Sequence, residues 1–135
     1  MRYTLALALA LAASNAAGQA FRPYSQERVS AKQWQTYFNE VSAKLAATRQ
    51  DAPAELFVGF NDPNTSTTYT FTMPGNPAHP AWFTRQFVQT GTTITVRQIG
   101  YFAGDEAQYN RLFRAFQEMN ASLRQDMQKR ARNPK

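Results

Sequence analysis

The chain has no cysteine and only one histidine among its 135 residues. Without cysteine there is no disulfide, no thiolate nucleophile and no cysteine-based metal site, so a stable fold depends on an apolar core. The sequence also lacks Gly-x-Ser-x-Gly, a glycine-rich phosphate loop and His-Glu-x-x-His, the signatures of common hydrolases, nucleotide-binding proteins and metalloproteases. These absences favour a protein without catalytic residues, a metal or a cofactor.

No apolar run is long enough to span a bilayer. The uninterrupted apolar segment 5–13 has roughly half of the ~20 residues that a membrane helix needs. It follows Arg2 and precedes small residues ending at Ala20, which is typical of a secretory signal peptide over residues 1–20; earlier cuts after Ala16 or Ala17 remain open. The sequence therefore predicts an exported domain over 21–135. Export without cysteine favours a bacterial periplasm or culture medium.

Positive charge exceeds negative charge, with 15 Lys and Arg against 9 Asp and Glu and a net charge of +6. Such a balance suits nucleic acid, anionic lipid or an acidic protein as partner. Because the chain is predicted to be exported, we expect a protein or envelope component and no nucleic acid. A basic tail from about residue 129 to Lys135 either frays into solvent or contacts an anionic membrane or cell-wall surface.

Two helices are predicted, one at each end of the domain. Ser30 and Gln33 have the spacing of a capping box, and the first helix should stop near 49–51, ahead of Pro53. Asp105 and Gln108 form a second capping pair. Apolar residues recur at helical spacing in both segments, which predicts core-facing stripes: Trp34, Tyr37, Phe38, Val41 and Leu45 in the first; Tyr109, Leu112, Phe113, Phe116, Met119, Leu123 and Met127 in the second.

Between the helices the hydrophobic period changes to two, which predicts strands over 56–60, 67–73, 82–89 and 92–102. In the second strand, alternate threonines are predicted to face water. With Thr90-Gly91 as a two-residue turn, Arg85 faces Val96 in the last hairpin, and Arg97 lies on the opposite face. The expected fold class is α+β: a four-stranded antiparallel meander in the order α-β-β-β-β-α, with both helices on one face.

The segment from Pro74 to Trp82 concentrates three prolines, a glycine and the only histidine. A stiff loop presents its side chains at low ordering cost, which favours recognition, although the same residues also suit a plain connection. Two Arg-Gln pairs on the following hairpin suggest a stripe for an anion or carbohydrate, the alternative being ordinary cross-strand hydrogen bonding. The candidate binding residues are His79, Trp82, Arg85, Arg97 and Gln98.

Two functional hypotheses follow from these features. The first is a small exported accessory protein of inhibitor, immunity or envelope-associated type, which binds another macromolecule through its sheet edge or the loop of His79 and Trp82. The alternative is a small-ligand carrier or weak enzyme with a pocket between sheet and helices, lined by His79, Arg85 and Arg97. A purely structural envelope component also remains open.

Overall fold

The computed structural model describes residues 21–133. The predicted signal peptide and the last two residues of the basic tail lie outside this range. The described elements are, in chain order, helix α1 (Ala31–Lys44), a 3₁₀ turn (Ala46–Thr48), strands β1 (Gln50–Ala52), β2 (Phe57–Asp62), β3 (Thr67–Thr72), β4 (Ala81–Thr90) and β5 (Thr93–Phe102), and helix α2 (Glu106–Arg132).

The α+β class is confirmed, with a helix before and a helix after one antiparallel sheet. The sheet is a meander in the order β1-β2-β3-β4-β5, so it has five strands and not the predicted four. The additional strand is β1, in which Gln50 pairs with Gly59 and Ala52 with Phe57. Three residues without an apolar alternation carry no periodic signal, which is why this strand was not predicted.

The helix caps formed as predicted. Gln33 N–H donates to Ser30 Oγ at 3.0 Å, and Ser30 N–H donates to the Gln33 side chain at 2.9 Å. Gln108 N–H donates to Asp105 Oδ1 at 2.9 Å. Each bond satisfies an N–H that a helix start leaves without an intrahelical acceptor. Among the described residues, no helix is both long and apolar enough to cross a membrane.

The two helices pack on opposite faces of the sheet, so the prediction that both lie on one face was wrong. Helix α1 packs against the face that carries Trp82, and α2 packs against the face that carries Phe83. These neighbours in β4 are both fully buried. A strand with consecutive large apolar residues needs cover on each side, which one layer of helices does not provide.

Two of the β3 threonines that were predicted to face water, Thr70 and Thr72, are buried, whereas Thr68 is half-buried. Thr70 is 9% exposed and Thr72 is 2% exposed. The Thr72 hydroxyl accepts a hydrogen bond from Ala81 N–H at 3.0 Å and lies 3.1 Å from the Ala81 carbonyl oxygen. Local backbone partners thus satisfy a hydroxyl that the sequence pattern assigns to solvent.

The stripe of α2 is only partly core. Tyr109 and Phe116 are buried, but Met119 and Leu123 keep 47% and 38% of their surface exposed. The expectation that the whole stripe packs in the core was therefore wrong for its C-terminal half. Helix α2 continues to Arg132, so the basic segment begins as the last helical turn.

The turn of the last hairpin is Gly91-Thr92, because Thr90 pairs with Thr93. Gly91 has a φ of +63° at the first turn position, a conformation that glycine adopts without steric cost. Arg85 therefore faces Gln98 and not Val96 as predicted. A shift of two residues preserves the faces of a strand, so Arg85 and Arg97 still lie on opposite faces.

Residues 21–29, the arm, lie alongside β5. Phe21 is buried, with the Arg97 guanidinium 4.3 Å from its ring centre. Phe102 N–H donates to the Glu27 carbonyl at 2.9 Å, and Val29 N–H donates to the Phe102 carbonyl at 2.9 Å. The arm therefore occupies the C-terminal end of the β5 edge.

Candidate functional site: the edge of β5

Trp82 is a core residue. It is fully buried, and its ring stacks between Tyr37 and Tyr101 with ring centres 4.7 and 4.6 Å apart. Its indole N–H has no hydrogen-bond partner among the described residues. A side chain without accessible surface cannot contact a partner on the folded protein, so Trp82 contributes to packing and not to a surface.

His79 belongs to a loop that is held internally. Its Nδ1 lies 2.8 Å from Thr72 Oγ1, and its ring stands edge-on to Trp34 at 5.0 Å. Burial lowers the pKa of His79, and the hydrogen bond with Thr72 opposes part of that effect. The backbone of Gly104 lies so close that a Cβ there would be 2.5 Å from the His79 carbonyl oxygen. These contacts are those of a well-packed connection.

Arg85 is buried beneath α2 at 9% exposure. Its Nη1 donates to Asn120 Oδ1 at 3.1 Å, and its guanidinium lies 5.1 Å from the ring centre of Phe116. Its Nε has no hydrogen-bond partner among the described residues. Burial lowers the pKa of Arg85. Removing the Arg85 cation from water has a large free-energy cost, and only neutral groups surround the guanidinium here.

The five predicted residues do not form one site. Arg97 lies on the α1 face, where its Nη1 donates to Gln86 Oε1 at 3.0 Å, whereas Arg85 lies on the α2 face and His79 lies in the loop at the sheet end. Gln98 alone lines the open edge of the sheet. Its Nε2 donates to the Phe113 carbonyl at 2.9 Å, and its Oε1 accepts from Asn120 Nδ2.

The outer edge of β5 presents backbone groups without partners. Phe102 directs its N–H and C=O away from β4 and onto the arm, and the unbroken register gives every second residue the same direction. At the other end, Ile94 N–H donates to Gln128 Oε1 at 3.1 Å. Between them, Val96, Gln98 and Gly100 have outward backbone groups with no partner among residues 21–133. Val96 and Gln98 are half-buried, whereas Gly100 is buried.

This edge is the floor of a groove with two unlike walls, here called the β5 groove. One section, of about 230 Å³, lies between β5 residues 98–101 and the arm, with Phe113 beside it. The second section, of about 390 Å³, lies between β5 residues 95–98 and α2 residues 117–124. Gln98 lines both sections, so the two are neighbours along the strand.

The α2 wall supplies the polar chemistry of the groove, through Gln117, Asn120 and Arg124. Sequence reasoning missed these residues. The available signal was Asn120, which stands four residues after Phe116 and three before Leu123, within the apolar stripe. A polar residue at a core position needs a buried partner, which here is Arg85.

Among the described residues, no group of three His, Asp or Glu side chains is placed to hold a metal ion. Comparison of the chain with protein families, curated proteins and solved structures gives no match. The functional conclusion therefore depends on the β5 groove.

Proposed function

We propose that this protein is a small exported accessory protein that binds an extended segment of another protein by strand addition to β5. The observation that carries the proposal is the row of outward backbone groups on the half-buried residues Val96 and Gln98, which line the groove. Unpaired edge groups are a template for a further strand, and pockets beside the edge select its side chains.

The size of the opening favours a single extended segment over a second folded sheet. The arm pairs with Phe102 at one end, and Gln128 pairs with Ile94 at the other. From residue 96 to residue 100, between these paired ends, the strand rises by four steps, or about 13 Å at ~3.3 Å per residue. The arm lines one section of the groove and α2 lines the other, and a single extended segment needs less room between them than a folded sheet does.

The small-ligand alternative has less support. It requires His79, Arg85 and Arg97 to share a pocket, and these residues occupy the sheet end, the α2 face and the α1 face respectively. The loop of His79 and Trp82 also has less support as the recognition surface, because Trp82 is fully buried.

The test uses proline at position 96. Because Val96 N–H points outward, Val96→Pro removes no bond of the β4–β5 ladder but obstructs the added strand. Val96→Ala keeps the N–H and serves as the matched control. We expect wild type and Val96→Ala to capture the same protein from a periplasmic extract, and Val96→Pro to lose it while keeping its circular dichroism spectrum.

Amide hydrogen exchange on the captured complex locates the contact. Strand addition predicts slower exchange at the amides of Val96 and Gln98. A partner that Val96→Pro retains, or one that protects only other surfaces, contradicts strand addition.

The export part of the proposal rests on residues 1–20 and has its own test. Expression of the full chain in a bacterium, followed by fractionation and intact-mass measurement, should give a periplasmic or secreted species that begins at Phe21. A cytoplasmic species that retains residues 1–20 contradicts export and leaves the strand-addition proposal in place.

A further inference from the structure

We infer that the α2 section of the β5 groove binds a carboxylate, supplied by an Asp or Glu side chain of the added segment. This inference rests on the proposed strand addition and adds the chemistry of the segment. The section lies beside the strand edge, between β5 and the α2 residues Asn120 and Arg124. Alternate side chains of an added strand point toward that face.

The first argument is the orientation of the amides. Asn120 Oδ1 accepts from Arg85 Nη1 at 3.1 Å, and Gln98 Oε1 accepts from Asn120 Nδ2. Both acceptor atoms are thus used internally. An amide nitrogen carries two hydrogens, and these contacts use one from Asn120 and one from Gln98. The side chains that form this wall therefore have donors left for an incoming acceptor.

The second argument is uncompensated positive charge. Arg124 lines the section and makes no ion pair or hydrogen bond with another described residue, and Arg85 lies directly behind Asn120. The seven residues that line the section include no Asp or Glu. Within residues 21–133 the ion pairs are Arg28 with Glu106 and Arg49 with Asp51, both elsewhere.

Donors and positive charge at one place favour an anion over a neutral amide. Hydrogen bonds to a carboxylate are about twice as strong as those between neutral groups. A carboxylate beside Asn120 also lies close to the buried guanidinium of Arg85, where the surroundings screen charge less than bulk water does. An Asp or Glu at the matching position of the segment thus gains affinity that Asn or Gln does not.

The test uses propionate and propionamide, which reproduce the side-chain ends of Glu and Gln. Each is titrated into the ¹⁵N-labelled full chain at constant ionic strength, and side-chain N–H resonances are followed by NMR. We expect propionate to shift Gln98, Asn120 and Arg124 saturably, with no saturable shift from propionamide. Arg124→Gln should weaken the propionate response roughly tenfold or more, since it removes a charge-assisted hydrogen bond.

The control is Arg111→Gln, which removes an exposed charge from the same helix outside the groove and should leave the response unchanged. Equal shifts with propionamide, or an equal loss in Arg111→Gln, would overturn the inference, and so would the absence of a saturable shift.

Propionate binding does not need an added strand. The inference can therefore fail while Val96→Pro still abolishes partner capture, and strand addition can fail while propionate still binds.

Discussion

Tyr109 of α2 lies directly over Gly100 of β5, so that a Cβ atom at position 100 would be 2.5 Å from the Tyr109 hydroxyl oxygen. That hydroxyl donates to Glu27 Oε2 at 3.0 Å, and the ring stacks on Phe102 with centres 4.6 Å apart. The absence of a side chain at one position thus allows one tyrosine to join α2, β5 and the arm.

Gly100→Ala should destabilise the fold. The added methyl group meets a buried ring that stacks on Phe83 and Phe102, and overpacking of this kind costs about 1–3 kcal/mol. The matched control is Gly59→Ala in β2, where a Cβ would have only ordinary contacts at 3.7 and 3.8 Å. Urea unfolding followed by tryptophan fluorescence should show a lower midpoint for Gly100→Ala alone. Equal midpoints for both variants would contradict the close packing of Tyr109 on Gly100.

Trp82→Ala should be much more damaging than His79→Ala. The first opens a cavity between Tyr37 and Tyr101 and should cost about 3–5 kcal/mol. The second removes one partly buried hydrogen bond, with Thr72, and should cost about 1 kcal/mol. Thermal unfolding by circular dichroism compares the two. Partner capture with Trp82→Ala reports on folding before it reports on recognition, and a Trp82→Ala variant as stable as wild type would contradict the core assignment.

The stability of the protein should depend on pH through His79. Because burial lowers the pKa of His79 below its ordinary value of 6.5, the unfolded chain takes up a proton before the folded chain does. The free energy of unfolding should therefore be at its full value above about pH 7 and decrease as the pH falls through 6.5 toward the folded pKa.

The measurement is urea unfolding between pH 7.5 and 5.5, with His79→Gln as the control. The control should have a flatter profile, since this chain has no other histidine. A wild-type profile that rises toward pH 5.5, or one that matches the control, would be inconsistent with a neutral, partly buried imidazole.

Asn120→Ala should destabilise the fold by about 2–3 kcal/mol, because it leaves the buried Arg85 guanidinium without its amide acceptor. Gln117→Ala is the control: it lines the same section of the groove but is exposed. Chemical unfolding should separate the two variants clearly. Equal effects would mean that Asn120 does not stabilise Arg85.

The helix caps were predicted correctly, but the turn of the last hairpin was not. The capping pairs of Ser30 with Gln33 and Asp105 with Gln108 formed because a cap needs only residues three positions apart. The sequence predicted the turn of the last hairpin at Thr90-Gly91, one residue too early. Thr90-Gly91 and Gly91-Thr92 both consist of one threonine and one glycine, so composition does not distinguish them. Only the positive φ of Gly91 at the first position distinguishes them.

The layers and the groove depend on contacts between distant segments. The consecutive residues Trp82 and Phe83 indicate that β4 is covered on both faces. The threonines of the neighbouring strand β3 instead favoured one face in contact with water. Arg85 was predicted as a candidate binding residue, and the structure buries it beneath α2. Its partner Asn120 is 35 positions away, and no local pattern predicts that pairing. The free edge of β5 likewise became visible only once the strand order was known.

The docking of the arm on β5 also has a consequence for the order of assembly. Tyr101 donates to the Tyr24 carbonyl across 77 positions, and Tyr109 reaches Glu27 across 82. Contacts this far apart in sequence close late and slow folding. While the chain is being synthesised, the arm leaves the ribosome before β5 and the start of α2, which form the surface it binds. Phe21 and Tyr24 therefore have no docking surface until β5 has been made.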